Sequence, residues 1–241
     1  MRVKAVLFDL FDTLLMIGSD EVYYEPSLRK MYEFLKKKGV KASFEDFSRV
    51  YFEVRDSIYS ETRKTLDEPH FNVRIMQTLQ KLGYDFDVSD PVVVGATTAF
   101  ADEFMSYVSV DGDAVSVLRA LKKKYKLGLI SNFGIPECGR KLLDNFGLRK
   151  FFDIVIISAE VNQRKPNPEI FKKALHDLNV YASEAVFVGD MPELDVKGPK
   201  SVGIKAILIE RKPTETEASV KPDRVIKNLT ELLTILEDDD A

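Results

Sequence analysis

The sequence contains no tryptophan, a single cysteine and two histidines among its 241 residues. One cysteine, Cys138, excludes an internal disulfide and fits a reducing compartment. It falls in a helical pattern, where an ordinary small residue is the expected role rather than a nucleophile. An excess of charge of either sign is missing too. Thirty-five basic residues face 39 acidic ones, a formal net charge of −4, which argues against nucleic-acid binding through a basic surface. The densest lysine runs, at 36–41 and 122–126, close amphipathic helical patterns, where lysine suits the helix C-terminus. No apolar run approaches the ~20 residues that cross a bilayer, and no signal-peptide pattern opens the chain. No membrane partner is expected, and the cytoplasm is the expected location. With 45% hydrophobic residues, the chain can bury one sizeable core, or one core and a small attached domain.

What is present falls into two rhythms. VKAVLFDL, near the N-terminus, is a short and nearly continuous apolar run, as in a strand buried on both faces. Helical patterns follow. Leu28, Met31 and Leu35 recur at helical spacing before Gly39; Phe47, Val50, Val54 and Ile58 do so after a capping Ser43; Ile75, Leu79 and Leu82 do so before Gly83. DPVVVGATTAFADEFMSYV is also read as helix, although its first half is β-branched. From about Asp111 the pattern alternates helix and strand, with strands at KLGLISN, FDIVIISAE, EAVFVGD and IKAILIE. That alternation predicts a parallel sheet with helical crossovers. KPTETEASVKPD reads as a polar loop, RVIKNLTELLTIL as a closing strand and helix, and EDDDA as a frayed tail. The expectation is an α/β core, Rossmann-like, formed by residues 1–15 and 108–241. Residues 16–107 form an inserted α-helical cap above the carboxyl ends of the strands, where such sheets bind ligands.

Those carboxyl ends are chemically crowded. Asp9, Asp12 and Thr13 follow the first strand, Ser131 and Asn132 the next, and Asp190 and Asp195 the strand EAVFVGD. Lys165 lies in RKPNPEIF, just before a helix with Asn167 as cap and Pro168 in its first turn. Each alone is an ordinary turn or surface residue. Converging carboxylates, however, need a cation, and hard oxygen donors of this kind suit Mg²⁺.

In this order the residues resemble the haloacid dehalogenase superfamily, in its branch with a helical cap inserted after the first strand. FDLFDT at 8–13, SN at 131–132, KP at 165–166 and GDMPELD at 189–195 carry the resemblance, which spans essentially the whole chain. It implies a hydrolase, most often a Mg²⁺-dependent phosphatase of small phosphorylated molecules. Asp9 would be the nucleophile, Ser131 would hold phosphoryl oxygens, and Lys165 would stabilise the anionic transition state. Thr13 and Asn132 would contact substrate or position neighbours. Asp9, the Phe11 carbonyl, Asp190 and Asp195 would hold the metal.

One position departs from the pattern. The phosphatases carry a second aspartate, the general acid and base, where this chain has Phe11. Asp12 stands one place on, where its side chain is expected to point elsewhere. The dehalogenases of the superfamily also have an aromatic there, need no metal, and receive halide or carboxylate on a cap arginine; Arg49 and Arg55 are the candidates in this chain. Metal-independent 2-haloacid dehalogenation is thus the alternative reaction, and a degenerate binding protein the alternative to catalysis. Arg63, Lys64, His70 and Arg74 are the cap residues to examine for specificity, each expected to be solvated, with His70 at a helix start. His176 is expected to be structural or superficial.

Overall fold

The computed structural model describes residues 3–211 and 220–238. In chain order the first elements are β1 (Ala5–Phe8), β2 (Leu15–Ile17), α1 (Asp20–Lys37), α2 (Phe44–Thr65), α3 (Phe71–Lys81) and α4 (Pro91–Met105). Next come β3 (Val108–Val110), α5 (Ala114–Leu121), β4 (Lys126–Ser131), α6 (Pro136–Asn145), β5 (Ile154–Ile157), α7 (Ser158–Val161) and α8 (Pro168–Leu178). β6 (Ala185–Gly189), a π-turn (Pro192–Val196), α9 (Lys197–Lys200), β7 (Lys205–Ile209), β8 (Arg224–Ile226) and α10 (Glu231–Asp238) complete the chain.

The main sheet has six strands in the order β5-β4-β1-β6-β7-β8, and every neighbouring pair is parallel. β1 shows why its sequence reads as one apolar run. Side chains alternate across a strand, and Val6 and Phe8 join Leu127 and Leu129 on one face, while Ala5 and Leu7 join Ile170 and Phe171 on the other. Both faces are covered, so no polar alternation is possible. After β1 the chain first builds the sheet outward through β4 and β5, then returns to β6 on the other side of β1. That reversal leaves a crevice at the carboxyl ends of β1 and β6.

Between β2 and β3 run the four helices α1–α4. α4 forms despite its β-branched start. Asp90 caps it by accepting the Val92 N–H at 2.7 Å, Pro91 occupies its first turn, and its apolar face is buried at Val93, Ala96, Phe100 and Phe104. Gly95 matters there, since any Cβ would collide with the Phe34 ring of α1. β2 and β3 pair antiparallel, Leu15 with Val110 and Ile17 with Val108. This ribbon, through which the chain leaves the sheet and returns, is absent from the sequence expectation because three-residue strands show no readable period.

Other differences are local. FDIVIISAE stops being strand at Ile157, and Ser158–Val161 turn into α7. Glu237 and Asp238, expected in a frayed tail, belong to α10; residues 239–241 and most of the polar loop, 212–219, lie outside the described residues. Among the described residues, no helix is long and apolar enough to cross a membrane.

Candidate active site

Asp9 leaves β1 with its N–H donated to the Val188 carbonyl of β6 at 2.9 Å. The chain then folds back tightly. The N–H groups of Leu14 and Leu15 both reach the Leu10 carbonyl, at 2.9 and 2.8 Å, and the Asp12 N–H reaches Leu15 at 2.6 Å. Asp12 adopts φ 53°, a left-handed conformation that aspartate tolerates better than most residues. Asp12 lines the same cavity as Asp9, and its Oδ1 accepts the Ile17 N–H at 3.3 Å. Arg211 grips the turn from behind, donating to the carbonyls of Asp12 (3.2 Å) and Thr13 (2.7 Å) and pairing with Asp111 at 2.8 Å.

Lys165 is the hub. Only 1% exposed, it donates from Nζ to Asp9 Oδ1 at 2.5 Å and to Asp195 Oδ1 at 2.6 Å. Asn132 holds the lysine in place, because its side-chain amide accepts the Lys165 N–H (2.7 Å) and donates to the Lys165 carbonyl (2.9 Å). Asp195 folds back under β6, where its second oxygen accepts the Met191 N–H at 3.0 Å. Gly189 makes that possible, as a Cβ there would overlap the Asp195 side chain. The GD at 189–190 thus has a packing reason for its glycine. One oxygen from each of Asp9, Asp190 and Asp195 can lie within 4.8 Å of the others.

The charges do not cancel. Burial pushes Asp9 up to about 6; Lys165 opposes the rise and Asp195 adds to it. Asp190 is raised further, to about 8, by burial and then by Asp9, Asp195 and Asp12. For Lys165 burial favours the neutral amine, but the carboxylates of Asp195 and Asp9 outweigh it and hold the ammonium more firmly than usual. One ammonium facing four carboxylates leaves surplus negative charge. An all-oxygen donor set carrying such a surplus fits a hard divalent cation such as Mg²⁺.

Two hydroxyls add a second unmet demand. Thr13 and Ser131 are fully buried, and among the described residues neither Thr13 Oγ1 nor Ser131 Oγ has a hydrogen-bond partner. A buried polar atom without a partner costs about 1–3 kcal/mol, so a ligand that supplies one gains from it.

These groups open on a cavity of about 330 Å³. Asp9, Lys165, Asp190 and Asp195 line one part of it, and Tyr23, Tyr24, Tyr59, Arg74 and Phe100 of the four helices line another. Phe11 lies between them, its ring 4.9 Å from that of Phe133 and 5.9 Å from that of Phe104. It joins the turn after β1 to α4 and to the loop after β4.

The remaining candidates divide. Arg49 is on the surface, tied to Asp46 and Glu53 of its own helix, and Arg55 pairs with Asp56 and lies over the Phe52 ring; neither lines the cavity. Arg63 and Lys64 are exposed, as is His176. His70 caps α3 by accepting the Asn72 N–H. Cys138 is buried, and its thiol is pushed up to about 12, far from thiolate chemistry. Arg74 contradicts its expected solvation, being 9% exposed. The signal was present, since Arg74 shares the buried face of α3 with Phe71, Ile75 and Thr78. Arg211 and the pair Glu68–Arg164, 3.4 Å apart, gave none, because their partners are remote in sequence.

Fold and site together define an α/β enzyme that gathers aspartates and a lysine at the carboxyl edge of a parallel sheet. A family model described as haloacid dehalogenase-like hydrolase matches residues 3–203. The chain belongs to that family. A glyceraldehyde 3-phosphate phosphatase of Pyrococcus furiosus is 30% identical to it, over 98% of this chain and 94% of the relative. Among solved structures, a 2-haloacid dehalogenase from Pseudomonas syringae pv. Tomato DC3000 aligns with a TM-score of 0.74 and 26% identity, covering 98% of this chain and 99% of that one. A HAD phosphatase from Thermococcus onnurineus gives 0.69 and 29%, with 97% and 98% covered.

Proposed function

We propose that the protein is a Mg²⁺-dependent phosphatase of small phosphomonoesters, acting through an aspartyl-phosphate on Asp9 and lacking the usual acid/base residue at Phe11. The observation that supports it most is the cluster of Asp9, Asp190 and Asp195 around Lys165. In this reading residues 16–107 are a cap over a core of residues 1–15 and 108–241.

Asp9 attacks phosphorus, and the bond from phosphorus to the leaving oxygen breaks, its electron pair departing with that oxygen. Lys165, hydrogen-bonded to the nucleophile, keeps Asp9 ionised and balances the charge of the transferring group. Asn132 acts by fixing Lys165. Ser131 donates its unpartnered hydroxyl to a phosphoryl oxygen, and Thr13 supports the turn that presents Asp9. Asp9, Asp190, Asp195 and the Phe11 carbonyl would hold Mg²⁺, which would neutralise part of the negative charge of the reacting groups. Water then attacks phosphorus, releasing phosphate and restoring the Asp9 carboxylate. Phe11 offers the leaving oxygen no proton, a loss of about 10² to 10⁴ in rate. Turnover is therefore slow, least so for leaving groups that depart as stable anions.

A second reading, metal-independent 2-haloacid dehalogenation with Asp9 attacking carbon, is favoured by Phe11 and by the Pseudomonas structure. Asp190 speaks against it, since a reaction without a cation gains nothing from a carboxylate pushed up to about 8 by burial and then by its acidic neighbours. The test compares phosphate release from an aryl phosphate, with and without Mg²⁺, against halide release from 2-chloropropionate. Phosphate release that needs both Mg²⁺ and Asp9 supports the proposal. Halide release that ignores EDTA replaces it with the second reading, and silence in both assays points to a binding protein.

A further inference from the structure

The cavity holds a cation that the chemistry at Asp9 does not use. Arg74 reaches it from α3 with 9% of its surface exposed. Nη1 donates to the hydroxyls of Tyr24 (3.3 Å) and Tyr51 (3.2 Å). Nε is buried without a partner, and among the described residues Nη2 makes no hydrogen bond and no carboxylate forms an ion pair with the guanidinium. The rings of Phe71, Tyr59 and Tyr51 surround it, at 4.9, 5.0 and 5.7 Å from Cζ. Aromatic rings satisfy a cation's faces but give the N–H edge of a guanidinium no in-plane acceptor. Glu68 shares the cavity and its carboxylate feels the Arg74 charge, yet its ion pair and hydrogen bond go to Arg164 and to the Ser158 hydroxyl.

A buried charge that no carboxylate bonds directly is costly enough that native proteins pair it, neutralise it or meet it with a ligand. Arginine does not deprotonate, which leaves the ligand. We propose that Arg74 receives a carboxylate carried by the leaving group of the substrate, so that the protein prefers phosphorylated hydroxy acids over esters with neutral leaving groups. This rests on the phosphatase reading, with the phosphoryl group at Asp9 and the carboxylate at Arg74. A cavity of about 330 Å³ suits a substrate of a few carbons. One carboxylate matches the single charge of the guanidinium and its planar donor edge.

The experiment uses 3-phosphoglycerate and glycerol 3-phosphate, whose leaving groups differ by a carboxylate against a hydroxymethyl group. With Mg²⁺ present, wild type is expected to favour 3-phosphoglycerate in kcat/KM by about 10- to 100-fold, the worth of a charged hydrogen bond. Arg74→Met is expected to bring that ratio to about one, and Arg74→Lys to restore part of it. A ratio near one in wild type, or an unchanged ratio in Arg74→Met, overturns the proposal. Failure of both esters to react is a failure of the phosphatase reading instead. Calorimetric titration of wild type with glycerate and with glycerol then decides the role of Arg74. Binding of glycerate alone, lost in Arg74→Met, sustains it; no glycerate binding refutes it. Circular dichroism checks that the variants fold, and Arg74→Gln replaces any that does not.

Discussion

Replacing Asp190 with asparagine removes one of four carboxylates from the strand ends, and the metal-free protein is expected to become more stable in neutral and alkaline solution. The folded protein holds this carboxyl at about 8 against 3.8 when free. Between those values the unfolded chain has released its proton while the folded one retains it, so stability falls as pH rises from 3.8 towards 8 and levels off above. The full difference is worth ~6 kcal/mol, and water in the open cavity screens it to ~3 kcal/mol. For a chain of this size that is about 6 to 12 °C in Tm. Thermal melts in EDTA across pH 5 to 8.5 measure it. The gain from Asp190→Asn should be largest at pH 8.5 and less than half as large at pH 5. Millimolar Mg²⁺ should stabilise wild type and leave the variant almost unchanged, because only wild type has the full donor set. An equal gain at both pH values, or a loss of stability in EDTA, refutes the claim that these carboxylates are under-compensated.

The other predictions concern single side chains. Ser131→Ala should leave Tm unchanged or slightly raised, because the hydroxyl has no partner in the free protein, while phosphatase kcat/KM falls by about 10²-fold. Phe11→Asp should raise kcat for alkyl phosphates by about 10²-fold, and by less for aryl phosphates. The same change should lower Tm, since the Phe104 and Phe133 rings lose their neighbour. Lys165→Met should cost about 3–5 kcal/mol near pH 8 in urea titrations, as Asp9 and Asp195 are left facing each other. That penalty shrinks in acid, where the carboxylates take up protons.

The sheet was legible in the sequence because each of its inner strands is buried on both faces, and an uninterrupted run such as AVLF is the trace this leaves. The convergence of Asp9, Lys165, Asp190 and Asp195 was legible because they follow strands or precede a capped helix, so position along the chain implied position in space. Asn132 shows the limit of that inference. Its place after β4 was readable, but its grip on the Lys165 backbone depends on a loop 33 residues away. Phe11 was read as the absence of an acid. In the fold it is also a contact, joining the turn after Asp9 to α4 through Phe104. Asp12 marks another limit, since nothing in FDLFDT announces its left-handed φ or that the residue lines the cavity. Arg74 was misjudged on type alone, since a lone arginine on an amphipathic helix normally faces water.

The central claim is that Asp9 takes up a phosphoryl group. The direct measurement is mass spectrometry of the Asp9 peptide, from protein quenched in acid during turnover of an aryl phosphate with Mg²⁺. The account predicts one added phosphoryl group on Asp9, absent with EDTA and absent in Asp9→Asn. An unmodified Asp9 peptide in a sample that is releasing phosphate, or an Asp9 alkylated by 2-chloropropionate without metal, contradicts it.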